Sequence, residues 1–237
     1  MAFKPQAILL LDTETATLTD FVYDVAYAIT DRKGRVLETF NALVEENVTV
    51  PEKMAKAYYQ KKTYTHYIPM LGNDEIELMP WSEIVANMRE SIARHNVGIL
   101  SAYNLGFDAK VMRATNKDLG DGPIFQQPVR QLDLWRFAAQ TLLSQKSYES
   151  FAREHGLISA AGNLKSSAEA SYRYIHRNPD FVEDHTALSD VLVENDIMAR
   201  CFAQKKTVPF ADTLSDRTAP WMLIPANAEN MKTRRRA

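Results

Sequence analysis

Four carboxylates and one histidine fall into three short clusters: Asp12-Thr13-Glu14, Asn104-Leu105-Gly106-Phe107-Asp108 and His185-Thr186-Ala187-Leu188-Ser189-Asp190. Alternate residues of a strand project from one face, so Asp12 and Glu14 point together while Thr13 points away. Two oxygen donors a side chain apart suit hard cations such as Mg²⁺ or Mn²⁺. An isolated Asp-x-Glu is most often a solvated strand end. The order and settings of all three clusters predict instead one carboxylate site for two divalent ions beside a histidine base. That is equipment for cutting phosphodiester bonds.

Asp108 follows an apolar run and opens a helical pattern, where a carboxylate also serves as a cap and favours the positive end of the helix dipole. Gly106 permits close backbone approach in the turn, and Phe107 anchors it. His185 and Asp190 present a geometric problem. At ~100° per residue they sit ~140° apart around one helix and do not converge. The pair meets only if His185 precedes the first full turn, with Asp184 or Thr186 as the cap. An unperturbed histidine titrates near ~6.5 and can take a proton from water near neutral pH.

These residues need a scaffold. Ala7 to Leu11 is a continuous apolar run that predicts a buried strand ending near Asp12 to Thr15. Phe21 to Thr30 and Arg35 to Val44 predict two more strands, with Gly34 supplying the turn between them. Trp81, Ile84, Val85, Met88 and Ile92 have helical spacing. Val97 to Tyr103 is a short buried strand, and Phe107 to Leu119 a helix. Val129 to Leu134 feeds a helix over Trp135 to Leu143. Tyr148 to Glu154, Ser166 to His176 and Thr186 to Gln204 are further helices, the first of them stopped by Gly156. Strands first, then alternating strand and helix, predict an α/β sheet with helices on its faces. From Thr207 onward Pro209, Pro220 and Pro225 interrupt the chain and no period survives, so 207–237 is expected to be an irregular tail behind a domain at 1–206.

The ordered set resembles the DEDDh branch of the 3′–5′ exonucleases, the group that includes the proofreading subunit of bacterial replicative polymerases. Its pattern of Asp-x-Glu, Asn-x-x-(Phe/Tyr)-Asp and His-x-x-x-x-Asp is met by Asp12 and Glu14, by Asn104 with Phe107 and Asp108, and by His185 with Asp190. The resemblance spans roughly residues 7–203. It implies a ribonuclease-H-like mixed sheet flanked by helices and two Mg²⁺ or Mn²⁺ ions. Asp12, Glu14, Asp108 and Asp190 would hold the ions, and His185 would be the general base. Thr15 and Leu18 resemble positions lining the terminal-nucleotide pocket, with Asn104 and Phe107 beside them. The family often has a glycine after its first motif, where this chain has Thr15-Ala16-Thr17-Leu18. Asp133 resembles a family aspartate with a supporting role.

Residues 53–67 carry Lys53, Lys56, Lys61 and Lys62 interleaved with Tyr58, Tyr59, Tyr64 and Tyr67. Cations for phosphates and rings for bases suit a single strand, and Lys61 and Lys62 are the expected phosphate contacts. The same composition also fits a helix with inward tyrosines and solvated lysines. The expected substrate is a single-stranded 3′ end, DNA in preference to RNA because no cue for a 2′-hydroxyl is evident. The alternatives are an exoribonuclease that trims short RNA or tRNA ends, a ribonuclease-H-like endonuclease, and a non-catalytic nucleic-acid-binding or polymerase-accessory module. The basic end at Arg234, Arg235 and Arg236 is expected to be disordered, and the tail is the expected route to any polymerase or replication partner. Net charge is −2 on 28 basic and 30 acidic residues, so phosphate attraction must be local. One cysteine, no apolar run near the roughly 18–20 residues of a membrane helix and no signal pattern together predict a cytoplasmic protein.

Overall fold

A computed structural model describes residues 7–16, 21–57, 60–120, 122–125, 128–205 and 218–234. Six strands form one mixed sheet: β1 (Ala7–Thr15), β2 (Val22–Thr30), β3 (Val36–Val44), β4 (Glu77–Met79), β5 (Val97–Ala102) and β6 (Arg130–Asp133). Their order across the sheet is β4-β3-β2-β1-β5-β6. β2 is antiparallel to both neighbours, and the other pairings are parallel. The predicted α/β class and three-strand meander are present. The turn between β2 and β3 places Gly34 at φ +80°, a conformation open to a residue without Cβ.

Ten helices are described: α1 (Glu45–Val48), α2 (Pro51–Met54), α3 (Ile68–Gly72), α4 (Trp81–Arg94), α5 (Leu105–Leu119), α6 (Leu134–Thr141), α7 (Lys146–Glu154), α8 (Ala168–His176), α9 (Ala187–Gln204) and α10 (Pro225–Arg234). A π-helical turn at Thr63–Tyr67 leads into α3. None of these helices is long and apolar enough to cross a membrane.

The apolar alternation of β1 divides the core. Ile8 and Leu10 pack with Ala26, Ala28 and the inward residues of α6 to α9. Leu9 and Leu11 pack on the other face with Trp81, Ile84 and Met88 of α4 and Val111 and Met112 of α5. Every residue of β2 is buried, which matches a central strand covered on both sides. A small third cluster, including Tyr23, Leu43, Met54 and Tyr67, lies beneath the segment between β3 and β4.

The tail departs from expectation. A 3₁₀ turn at Pro220–Leu223 and helix α10 occupy much of the described stretch 218–234. Ile224 is buried in the main core. Asn227 accepts a hydrogen bond from the Leu164 amide at 2.7 Å and donates to the Leu164 carbonyl at 3.1 Å, as a strand neighbour would. Ile224 with the adjacent Leu223 and Ala226 and one asparagine make the docking, a patch too short to leave an apolar period in the sequence. Residues 206–217 and the arginines at 235 and 236 lie outside the described residues.

Candidate metal and catalytic site

β1 runs apolar through its middle and acidic at its end. Asp12 and Glu14 share the face of Ile8 and Leu10, which is the face covered by α9. Ala26 lies directly across from Asp12 on β2, and its small side chain leaves room there for carboxylates. Asp190, in the first turn of α9, completes the group: ligand oxygens of Asp12, Glu14 and Asp190 all lie within 4.8 Å of one another. Three oxygen anions at this separation repel strongly in a poorly solvated setting. A divalent cation relieves that repulsion, and the donor set is one that hard cations favour. The residues therefore fit a divalent cation of the kind the resemblance implies.

The electrostatics carry the same message. Burial, followed by the charges of Asp108, Glu194, Asp190 and Glu14, holds Asp12 well above the usual carboxylate range. Burial and the charges of Asp190 and Asp24 push Glu14 up to about 9. Without a cation the cluster keeps protons that isolated carboxylates would have lost.

Asp108 stands next to this group but is differently engaged. It sits in the first turn of α5, and its Oδ1 accepts a 2.8 Å hydrogen bond from the hydroxyl of Thr13. Thr13 thus points away from the acid pair, as alternation requires, and its hydroxyl tethers the fourth acid. Burial pushes Asp108 up to about 7. The cap of α5 is not Asp108. Asn104 holds that position at φ +72°, and its carbonyl accepts from the Phe107 amide at 2.8 Å. A Cβ on Gly106 would meet nothing within 4 Å. The tight turn therefore comes from the left-handed Asn104, and the close approach expected at Gly106 is absent. Asn104 is exposed, and Phe107 packs at the edge of the core.

His185 lies two residues ahead of α9 with φ +54°. A left-handed backbone costs a non-glycine residue roughly 1–2 kcal/mol, so surrounding contacts must hold it there. The conformation brings Nδ1 to 3.8 Å from Asp190 Oδ2 and 3.9 Å from Glu183 Oε2. A straight helix could not have joined residues 185 and 190 in this way. Asp190 is the main cause that raises the His185 pKa, and partial burial opposes it. The side chain remains 34% exposed, within reach of solvent.

Three acids around this group were not singled out from sequence. Asp24 lies opposite Glu14 on β2 and is fully buried. Its Oδ2 accepts from the Ala187 amide at 3.0 Å and from Tyr67 Oη at 2.9 Å, which fixes a carboxylate at the N-terminus of α9. Its signal was a lone charge inside the apolar run of β2. Glu194 is one turn beyond Asp190 on the same face of α9, only 2% exposed, and its Oε2 lacks a hydrogen-bond partner. Glu183 is pushed up to about 7 by burial first and by the Asp190 charge next. Asp133 caps α6, accepting from the Arg136 amide at 2.9 Å.

The candidate substrate residues separate. Thr15 ends β1, close to burial, past a register shift at Glu14. Leu18, Tyr58 and Tyr59 lie outside the described residues. Tyr67 is core, set edge-on to Tyr23 with ring centres 5.9 Å apart. Tyr64 is 76% exposed. The Lys53 ammonium donates to the Glu46 carbonyl and to Asn47 Oδ1 at 2.6 Å. Lys56 and Lys61 are exposed. The Lys62 ammonium donates to the carbonyls of Asp184 and His185.

No family model matches the chain, and no curated protein matches it. Solved structures do. Exonuclease X, in complex with 5′ overhanging duplex DNA, aligns over 85% of this chain and 94% of its own at 17% identity and a TM-score of 0.44. E. coli Exonuclease I, in complex with a 5cy-dT13 oligonucleotide, aligns over 86% of this chain at 14% identity and a TM-score of 0.52. The chain spans 41% of the length of Exonuclease I. At that identity the likeness concerns backbone architecture, and the chain accordingly has a ribonuclease-H-like α/β fold of the kind found in Exonuclease I.

Proposed function

We propose that this chain is a divalent-metal-dependent 3′–5′ exonuclease of the DEDDh type that releases nucleoside monophosphates from single-stranded ends, DNA in preference to RNA. One observation carries the reading: Asp12, Glu14 and Asp190 converge within 4.8 Å, with His185 3.8 Å from the last of them. Asp12, Glu14 and Asp190 would hold two Mg²⁺ or Mn²⁺ ions, with Asp108 joining from its Thr13 tether. Bound there, such ions neutralise charge developing on phosphate oxygens and lower the pKa of water. His185 takes the proton from the attacking water, and Asp190 orients and stabilises the imidazolium that results. Thr15, Leu18, Asn104 and Phe107 would border the terminal nucleotide. Lys61 and the exposed ring of Tyr64 offer a cation and a stacking surface to the incoming strand.

Matched 5′-labelled single-stranded DNA and RNA, each with Mg²⁺ and with a chelator, test this directly. A ladder that shortens from the 3′ end only with metal is the expected result. Internal cuts would indicate an endonuclease, and binding without cleavage would remove the enzymatic reading. Faster loss of the RNA would reassign the substrate to short RNA or tRNA ends with the chemistry intact.

A further inference from the structure

We infer that residues 62–67 form a clasp that sets the position of His185, with Lys62 as a positioning residue and not a phosphate contact. Only the kinetic part of this inference rests on the exonuclease reading; the structural part stands without it.

The turn that carries His185 lies just ahead of α9. His185 is left-handed, precedes α9 and lies outside its hydrogen-bond ladder. Thr186, the cap of α9, makes no side-chain capping bond. A long-range restraint comes from 122 and 123 residues earlier in the chain. The Lys62 ammonium donates to the carbonyls of Asp184 and His185. His66 Nε2 lies 3.0 Å from Asp184 Oδ1. Tyr67 Oη donates at 2.9 Å to the same Asp24 oxygen that receives the Ala187 amide. Three side chains within one six-residue stretch thus grip residues 184 and 185 directly, and residue 187 through Asp24. The grip has a buried anchor in Tyr67 and a half-buried one in Lys62.

Lysine suits this task. An ammonium has three donors and no acceptor, so one side chain can hold two neighbouring carbonyls at once. Burial lowers the Lys62 pKa, and the nearby acids Glu14, Asp184, Asp190 and Asp24 oppose that effect. A phosphate could reach this ammonium only by displacing the carbonyls, which would release the turn beneath it. Lys61, adjacent in sequence, projects from the surface and supplies an internal control.

Hydrogen exchange of the full chain, read on peptides covering 181–188, is the deciding measurement. Loss of two hydrogen bonds to the turn, each worth ~1 kcal/mol, should speed exchange about thirtyfold in Lys62→Met at ~1.4 kcal/mol per tenfold. Lys61→Met should leave exchange unchanged, and Lys62→Arg should restore most of the protection. Mn²⁺ affinity should stay within a few-fold of wild type in all three. On a labelled single strand, Lys62→Met should lower kcat while KM and the salt dependence of binding hold. If Lys62→Met does not fold, Lys62→Gln against Lys61→Gln makes the same comparison with a neutral amide in place of the ammonium. Unchanged exchange in Lys62→Met, or a flattened salt dependence like that of a lost phosphate contact, would overturn the clasp. Faster exchange in a protein whose wild type cleaves no nucleic acid would keep the clasp and discard the exonuclease.

Discussion

The acid cluster should make the metal-free protein lose stability as pH rises from 6 to 8. Glu14 has an ordinary value of 4.5 and is pushed up to about 9 in the fold. Between those limits the unfolded chain has released this proton and the folded chain has not. Stability therefore falls with pH by ~1.4 kcal/mol per unit for each such proton. Two pH units cost about 3 kcal/mol, or roughly 6–12 °C in Tm for a chain of this size. Asp12, raised for the same reason, and His185, raised by Asp190, act in the same direction. Saturating Mn²⁺ replaces the protons, binds more tightly as pH rises, and adds about 2.7 kcal/mol at a hundredfold excess over Kd. The assay is a set of melting curves at pH 6, 7 and 8 in chelator and in Mn²⁺, for wild type and Glu14→Gln. A steep fall in chelator, a shallow one in Mn²⁺ and a shallow one in Glu14→Gln are expected. A flat or rising Tm in chelator would refute the reasoning. So would a fall of equal size in Glu14→Gln, because the retained proton would then lie elsewhere.

Asp12→Ala should abolish cleavage while the metal-free Tm holds or rises, because a carboxylate leaves a crowded acidic site; oligonucleotide digestion and melting curves check both halves. His185→Ala should lose on the order of 10²–10⁴-fold in kcat and still bind Mn²⁺, as single-turnover kinetics and calorimetry would report. Asn227→Ala should destabilise by about 1–3 kcal/mol, since it leaves the Leu164 amide and carbonyl without their buried partner; urea denaturation measures it.

What the sequence disclosed follows from where its signals are local. Ile8 to Leu11 is apolar without interruption because β1 is covered on both faces, and the acids follow at its C-terminal end. The helical stripe of α4 and the glycine between β2 and β3 were equally visible. The convergence of His185 with Asp190 required a backbone reversal, and a helical wheel can say only that such a reversal is needed. In the turn before α5 the sequence suggested a close backbone approach at Gly106, whereas Asn104 makes the turn by adopting the left-handed conformation. Asp24 and Glu194 carried usable signals, a charge in a buried strand and a carboxylate one turn beyond a candidate ligand. The three residues of β4 were too short to announce a strand. The roles of Lys62 and Tyr67 depend on partners more than a hundred and more than forty residues away, which no local pattern encodes.

Helix α9 also fixes when the site can come into being. Val191, Ile197, Met198, Cys201 and Phe202 cover the face of β1 and β2 beneath which Asp12 and Glu14 lie. Asp190 arrives with the same helix, and Asp24 awaits its first amide across 163 residues of chain. A ribosome that has made β1 through α8 has made a sheet whose face over β1 and β2 still lacks α9, and an acid pair without its third member. Closure of the core and assembly of the cluster are then a single late event in synthesis. A nascent chain that ends with α8 would carry Asp12, Glu14 and Asp108 without Asp190 and His185, and its acid cluster would be incomplete.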